Sequence, residues 1–431
     1  MSIRSAARRL PFGMGTVAAA GAVAMAVSAG IVLAPGSGET PGHASHGELR
    51  DYASAPVEQW TIDHTSMPGL TGDGDITVAD THGDDWLVSY SAGIRHEYLL
   101  VDAATGVSRW KTPVDAGFGA CAFDAQGGIG CAVRMRTDGP DNGFYRIDRG
   151  SGSAARMSEG SDTAELVGLG SDFLHVNDTG YQVSRQTETG DVVWQRTFAA
   201  TATARYQDAA LVVETTDGNR FVLDPETGDD IVTCESCTVD TYPTGILMSR
   251  TNDGRPSVAF HPLTNGEIQS ESAHTADGLR VLSGPSVLPV LTSGGDQVLD
   301  AHGRYQVMDP ATGDARWQVS DPELSKVHAR PCGPQVSFAR KDRSRVFFRL
   351  DDGSRLGELP PPAFDAPDAN IDVLSCVGSS DDIAVFGNRN QLTAFAPSTG
   401  AQAWTLPING EPSVIDGRIV LRQGSTLSVL R

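Results

Sequence analysis

The sequence predicts an all-β fold, a propeller of eight blades within a range of seven to nine, on three observations. A strand-turn-strand unit recurs along most of the chain, and its turn glycines return at a near-constant spacing. The two ends of the repeat region each read as part of one further unit, so that joining them would close a ring.

The clearest copy of the unit is RYQVMDPATGDARWQV, residues 304–319. Tyr305, Val307 and Met308 are strand formers, and Asp309 and Pro310 stop the run. Gly313 can take the positive φ of a tight hairpin, and Trp317 follows four residues later. The same spacing carries Gly106 to Trp110, Gly190 to Trp194 and Gly400 to Trp404. Further copies around Gly152, Gly228, Gly266 and Gly353 keep the turn and lose the tryptophan. Successive turn glycines lie 46, 38, 38, 38, 47, 40 and 47 residues apart, a period that suits one four-stranded blade. The intact Asp-x-x-Thr-Gly-x-x-x-Trp pattern at Asp102 to Trp110 and Asp309 to Trp317 resembles the repeat of the PQQ-like (quinoprotein-like) β-propellers. That resemblance covers residues 57–431 and speaks to fold more than to function, because one fold hosts many activities.

In chain order, residues 1–13 carry Arg4, Arg8 and Arg9 and no acid. The uncharged run 14–34 is long enough to cross a bilayer as a helix, which predicts a single-span anchor with the bulk of the chain extracytoplasmic. The alternative is a signal segment cut after the small residues near Ala29, giving a secreted protein. Residues 35–56, rich in Gly, Pro, Ser and Ala, read as a flexible linker. His43 and His46 lie within it without a third metal ligand. From residue 57 the propeller domain begins, EQWTI with Trp60 resembling the last strand of a unit whose earlier strands lie at the C-terminus. One of the copies near Gly266 and Gly353 is expected to be a hairpin embellishment, which brings the count to eight.

Outside the membrane six cysteines should be oxidised. Cys121 and Cys131 flank a turn that would bring them opposite each other. Cys332 and Cys376 precede similar strands in neighbouring units, which fits a staple between blades. Cys234 and Cys237 form a CxxC with no second CxxC and no adjacent basic residue. A small structural disulfide is favoured there over a redox centre or half a zinc site.

A net charge of -21 without clustered Lys or Arg argues against nucleic acid. The acidity serves solubility, or presents an acidic face to a basic partner or a divalent cation. Trp60, Trp110, Trp194, Trp317 and Trp404 are expected to pack blade on blade, as large aromatics do. Asp73-Gly74-Asp75 lacks the remaining oxygen ligands of a calcium loop, and Gly150-Ser151-Gly152 is a repeat turn rather than a nucleophile elbow. Some members of the resembled family are dehydrogenases holding PQQ with calcium through an adjacent cysteine pair, a stacking tryptophan and a set of carboxylate and amide ligands. This sequence has no Cys-Cys dipeptide and no assignable ligand set, so no catalytic, cofactor or metal residue is carried over. The expectation is a non-catalytic binding or scaffold module with a protein partner. The alternatives are a PQQ-dependent oxidoreductase with a degenerate site, and a ligand sensor or assembly component similar in role to the propeller subunit of the outer-membrane protein insertion machinery.

Overall fold

A computed structural model describes residues 46–135, 140–293, 303–324, 329–362 and 371–431. The expected basic terminus 1–13, the expected anchor 14–34 and His43 lie outside these residues, and no described helix is long and apolar enough to cross a membrane. The described chain forms nine antiparallel sheets. Blades 1 to 8 span residues 76–117, 120–159, 163–197, 202–235, 237–277, 279–321, 330–359 and 375–407. Blade 9 joins 411–430 to the N-terminal strand Glu58–Ile62, which pairs with Thr426–Leu430. Each blade packs on the next, and blade 9 packs on blade 1, so the order closes on itself. Within a blade the first strand lies innermost, as the first-strand contacts between blades 1 and 2, 2 and 3, 3 and 4, 7 and 8, and 8 and 9 show.

The repeat motif explains itself residue by residue. The Asp102 carboxylate accepts hydrogen bonds from the amides of Ala104 and Thr105 and from the Thr105 hydroxyl, an Asx turn that reverses the chain. The Gly106 amide then donates to the Asp102 carbonyl with φ at +70°, where a side chain would be strained. In four blades a tryptophan docks on the turn of the following blade. Trp60, Trp110, Trp194 and Trp317 donate their indole N–H to Ala103, Arg149, Pro225 and Leu350, in each case the carbonyl three residues before the turn glycine. The ring lies so close that a Cβ on Gly106 or Gly228 would sit 2.7 Å from it. Ion pairs add further ties: buried Asp85 is shared by Arg109 of its own blade and Arg149 of the next.

The count is nine, the upper end of the expected seven to nine rather than the favoured eight, because both doubtful copies form the third-to-fourth turn of a complete blade. A missing tryptophan does not mean a missing blade, since other groups fill the docking place. Against Gly313 stand His274 and Phe260, and against Gly190 stands Ser158. The Gly266 copy does carry an irregularity: its outer strand is split into Glu267–Ile268 and His274–Asp277, which lengthens that period.

The expected linker also ends earlier than residue 56. From His46 onward the chain is bound to the ring, with Tyr52 buried and its hydroxyl donating to Leu430 O while accepting from Ile419 N. The reason is the ring closure itself. Blade 9 takes its fourth strand from the other end of the chain, so it has no third-to-fourth turn to receive Trp404, and Tyr52 O accepts the indole N–H at 2.8 Å instead. Disulfides join Cys121 to Cys131 across the first hairpin of blade 2, Cys332 to Cys376 between blades 7 and 8, and Cys234 to Cys237 where blade 4 passes into blade 5.

Candidate functional site: the channel wall and its two mouths

Because strands alternate in direction, first-to-second and third-to-fourth turns share one face of the ring, and second-to-third turns lie on the other. The N-terminal segment crosses the first of these faces. His46 Nε2 lies 3.1 Å from Asp208 Oδ2 of blade 4, and its ring stacks on Tyr242 of blade 5 at 6.0 Å. A Cβ on Gly47 would lie 3.0 Å from Gly333 N of blade 7 and 3.1 Å from Pro285 of blade 6. The Gly47 carbonyl accepts from Ser379 N of blade 8, and Leu49 N donates back to Ser379 O. Arg50 reaches blade 9 through Gly417 O and Asp416 O. Residues 46–50 therefore touch every blade from 4 to 9 and form a strap over that mouth. His46 is accounted for by these contacts, and among the described residues no group of three or more His, Cys, Asp and Glu is placed to hold a metal ion.

Along the channel wall, three first strands each carry one carboxylate pushed above its ordinary range. Asp80 of blade 1 rises to about 6, chiefly from burial, against the amides of Phe123 and Thr81 that hydrogen-bond it. Burial likewise raises Glu165 of blade 3, opposed by the Ala204 amide, and Asp240 of blade 5, opposed by Arg205. Burial and the neighbouring Asp240 and Asp208 charges push the Tyr242 phenol up as well. Asp80 and Glu165 each follow a shift of strand register, between Val78 and Asp80 and between Thr163 and Glu165. Such bulges re-aim a side chain. None of the three carboxylates was singled out in the sequence. The available signal was a lone acid in a first strand otherwise built of small, apolar and β-branched residues, as in ITVADTH, TAELVGL and CTVDTY.

On the face opposite the strap, between blades 3 and 4, lies a cavity of about 470 Å³. It is walled by Glu165, the 176–180 loop and threonines of blade 4. Of its carboxylates, Asp178 pairs with Arg134 at 3.1 Å and Glu214 with Arg220 at 3.0 Å.

Trp60, Trp110, Trp194, Trp317 and Trp404 each hydrogen-bond through the indole N–H at a blade junction, and Asp73 accepts the Thr71 hydroxyl within its own turn. Ser151 donates to Asp148 and completes a repeat turn.

No family profile matches the sequence, and no curated protein matches it. Among solved structures, BamB from Moraxella catarrhalis is 14% identical, with 88% of this chain and 98% of that one covered at a TM-score of 0.42. A computationally designed protein, Ika8, is also 14% identical, with 84% and 97% covered at a TM-score of 0.40. The nine-bladed ring is read from this chain's own strand pairing.

Proposed function

We propose that this chain is an extracytoplasmic propeller, tethered to a membrane through residues 14–34, that binds a protein partner and works as a scaffold or assembly module rather than as an enzyme. The observation that carries the reading is the asymmetry of the ring. One mouth is crossed by the chain's own strap, while the opposite face keeps an open cavity lined by loops, where propeller-like scaffolds carry their ligands. The disulfides support placement in an oxidising compartment. The polar residues of the repeat are committed to the architecture, Asp102 and Thr105 to the turn and the indole N–H groups to docking. That leaves the PQQ-like motif a packing device here.

The deciding experiment is crosslinking of the full-length protein in its native membranes, followed by pull-down. A partner crosslinked through the face opposite the strap supports the reading, and its absence overturns it. Titration with PQQ and calcium, followed by quinone absorbance and dye-linked oxidation of alcohols and sugars, addresses the oxidoreductase alternative. Stoichiometric binding with turnover would replace the scaffold by an enzyme.

A further inference from the structure

We infer that the cavity between blades 3 and 4 binds an alkylammonium group, with Glu165 as its counter-ion and threonine oxygens as its remaining partners. The inference deepens the protein-binding reading above and rests on it for one source of the ligand, a lysine side chain.

The charge inventory of the cavity leaves one group unmatched. Asp178 and Glu214 each hold a guanidinium, whereas Glu165 has no ion-pair partner among the described residues and accepts the Ala204 amide. Glu165 stands just after a strand bulge, half-buried in the wall between two blades, so a cation entering the cavity meets a partly desolvated charge that no guanidinium neutralises. The volume of about 470 Å³ lies within the usual range of small-ligand sites.

The kind of cation follows from the other groups. A divalent metal asks for several oxygen ligands of net negative charge, and one unpaired carboxylate is too few. A guanidinium is best held by both oxygens of a carboxylate in one plane, and part of Glu165's accepting capacity is already taken by Ala204. A quaternary ammonium is held by an aromatic cage, and no aromatic residue lines this cavity. An ammonium instead points three donors in separate directions and is satisfied by single acceptors. Thr179 of blade 3 and Thr203 of blade 4 bring hydroxyl oxygens to the lining of the same cavity, Thr179 with its own proton given to Asn177.

The test uses the full-length protein in detergent and saturation-transfer NMR, which reads millimolar binding. The probes are the peptide acetyl-Ala-Ala-Lys-Ala-Ala-amide, its ε-N-acetylated twin, and n-butylammonium. The peptide should bind and the acetylated twin should not. Glu165→Gln should weaken binding at least tenfold, while Glu188→Gln, on an exposed hairpin turn of blade 3, should leave it unchanged. Wild-type affinity should also fall as acidification protonates Glu165, a readout that needs no variant. Binding of butylammonium as well as peptide assigns the site to free amines and lysines alike; binding of the peptide alone assigns it to a lysine in a protein. Equal binding of the acetylated twin, undiminished binding by Glu165→Gln, or binding of neither cation overturns the inference. If the peptide fails while a crosslinked partner is still captured, the site falls and the protein-binding role stands. Peptide binding with no partner captured gives the reverse.

Discussion

Tyr52→Phe isolates the contribution of the N-terminal strap to ring closure. Tyr52 is 4% exposed, and its hydroxyl serves two backbone groups of blade 9, donating to Leu430 O at 2.8 Å and accepting from Ile419 N at 2.9 Å. Both flanking residues are buried, Ile419 fully, so water does not replace the lost partner. Phenylalanine keeps the ring packed against the blade 8 and blade 9 core and leaves Tyr52 O in place for Trp404. What is lost is one acceptor for a buried N–H and one donor for a buried carbonyl, each worth about 1–3 kcal/mol when left unsatisfied. The expected loss of stability is about 2–6 kcal/mol, read from chemical denaturation with the disulfides intact. Hydrogen exchange supplies a local readout, because the Ile419 amide should exchange faster while amides of blades 3 and 4 do not. A stability within about 0.5 kcal/mol of wild type, together with unchanged Ile419 exchange, would refute the account of the strap as the missing turn of blade 9.

Four further outcomes are expected. Full-length protein should fractionate with membranes, and a chain beginning at His46 should be soluble and more stable than one beginning at Ala55, which lacks Tyr52 and Leu49; comparison of their unfolding midpoints checks this. Gly228→Ala should cost about 2 kcal/mol or more, because its φ of +75° disfavours a side chain and the new Cβ would stand 2.7 Å from Trp194; thermal unfolding reads it. Replacing Cys332 and Cys376 by alanine should cost about 4 kcal/mol on the loop-entropy model for a separation of 44 residues, measured against the oxidised wild type. Asp80, raised from 3.8 to about 6, binds a proton in the folded chain where the unfolded chain has lost it, so its contribution to stability falls as pH rises from 4 to 6. Relative to wild type, Asp80→Asn should therefore gain about 2 kcal/mol between pH 4 and pH 7 in paired denaturant titrations.

The hairpins were legible in the sequence because their causes are local. The carboxylate of Asp102 bonds amides two and three residues on, and Gly106 turns the chain four residues on, so a short window of sequence holds the whole device. Ring closure was legible for a similar reason, since EQWTI and the C-terminal strands are each incomplete and complement each other. The number of blades was not, because a blade is defined by docking across a junction. Trp110 meets Gly152 about one period away, and His274 or Ser158 can stand in its place without leaving a repeat signal. The strap was hidden further still: residues 46–52 follow a Gly-, Pro- and Ser-rich stretch and carry no copy of the repeat, and what binds them are carbonyls, amides and side chains in blades 4 to 9.

The sequence by itself determined the secondary structure, the turn chemistry and the wish of the two ends to pair. Only the tertiary structure decided that there are nine blades, that one mouth is strapped, and that Asp80, Glu165 and Asp240 each sit on a first strand, partly buried. Which side of a strand a carboxylate occupies depends on register and bulges, and whether it finds a counter-ion depends on the neighbouring blade. Those are contacts between residues from about 40 to more than 350 positions apart, set by packing rather than by local pattern.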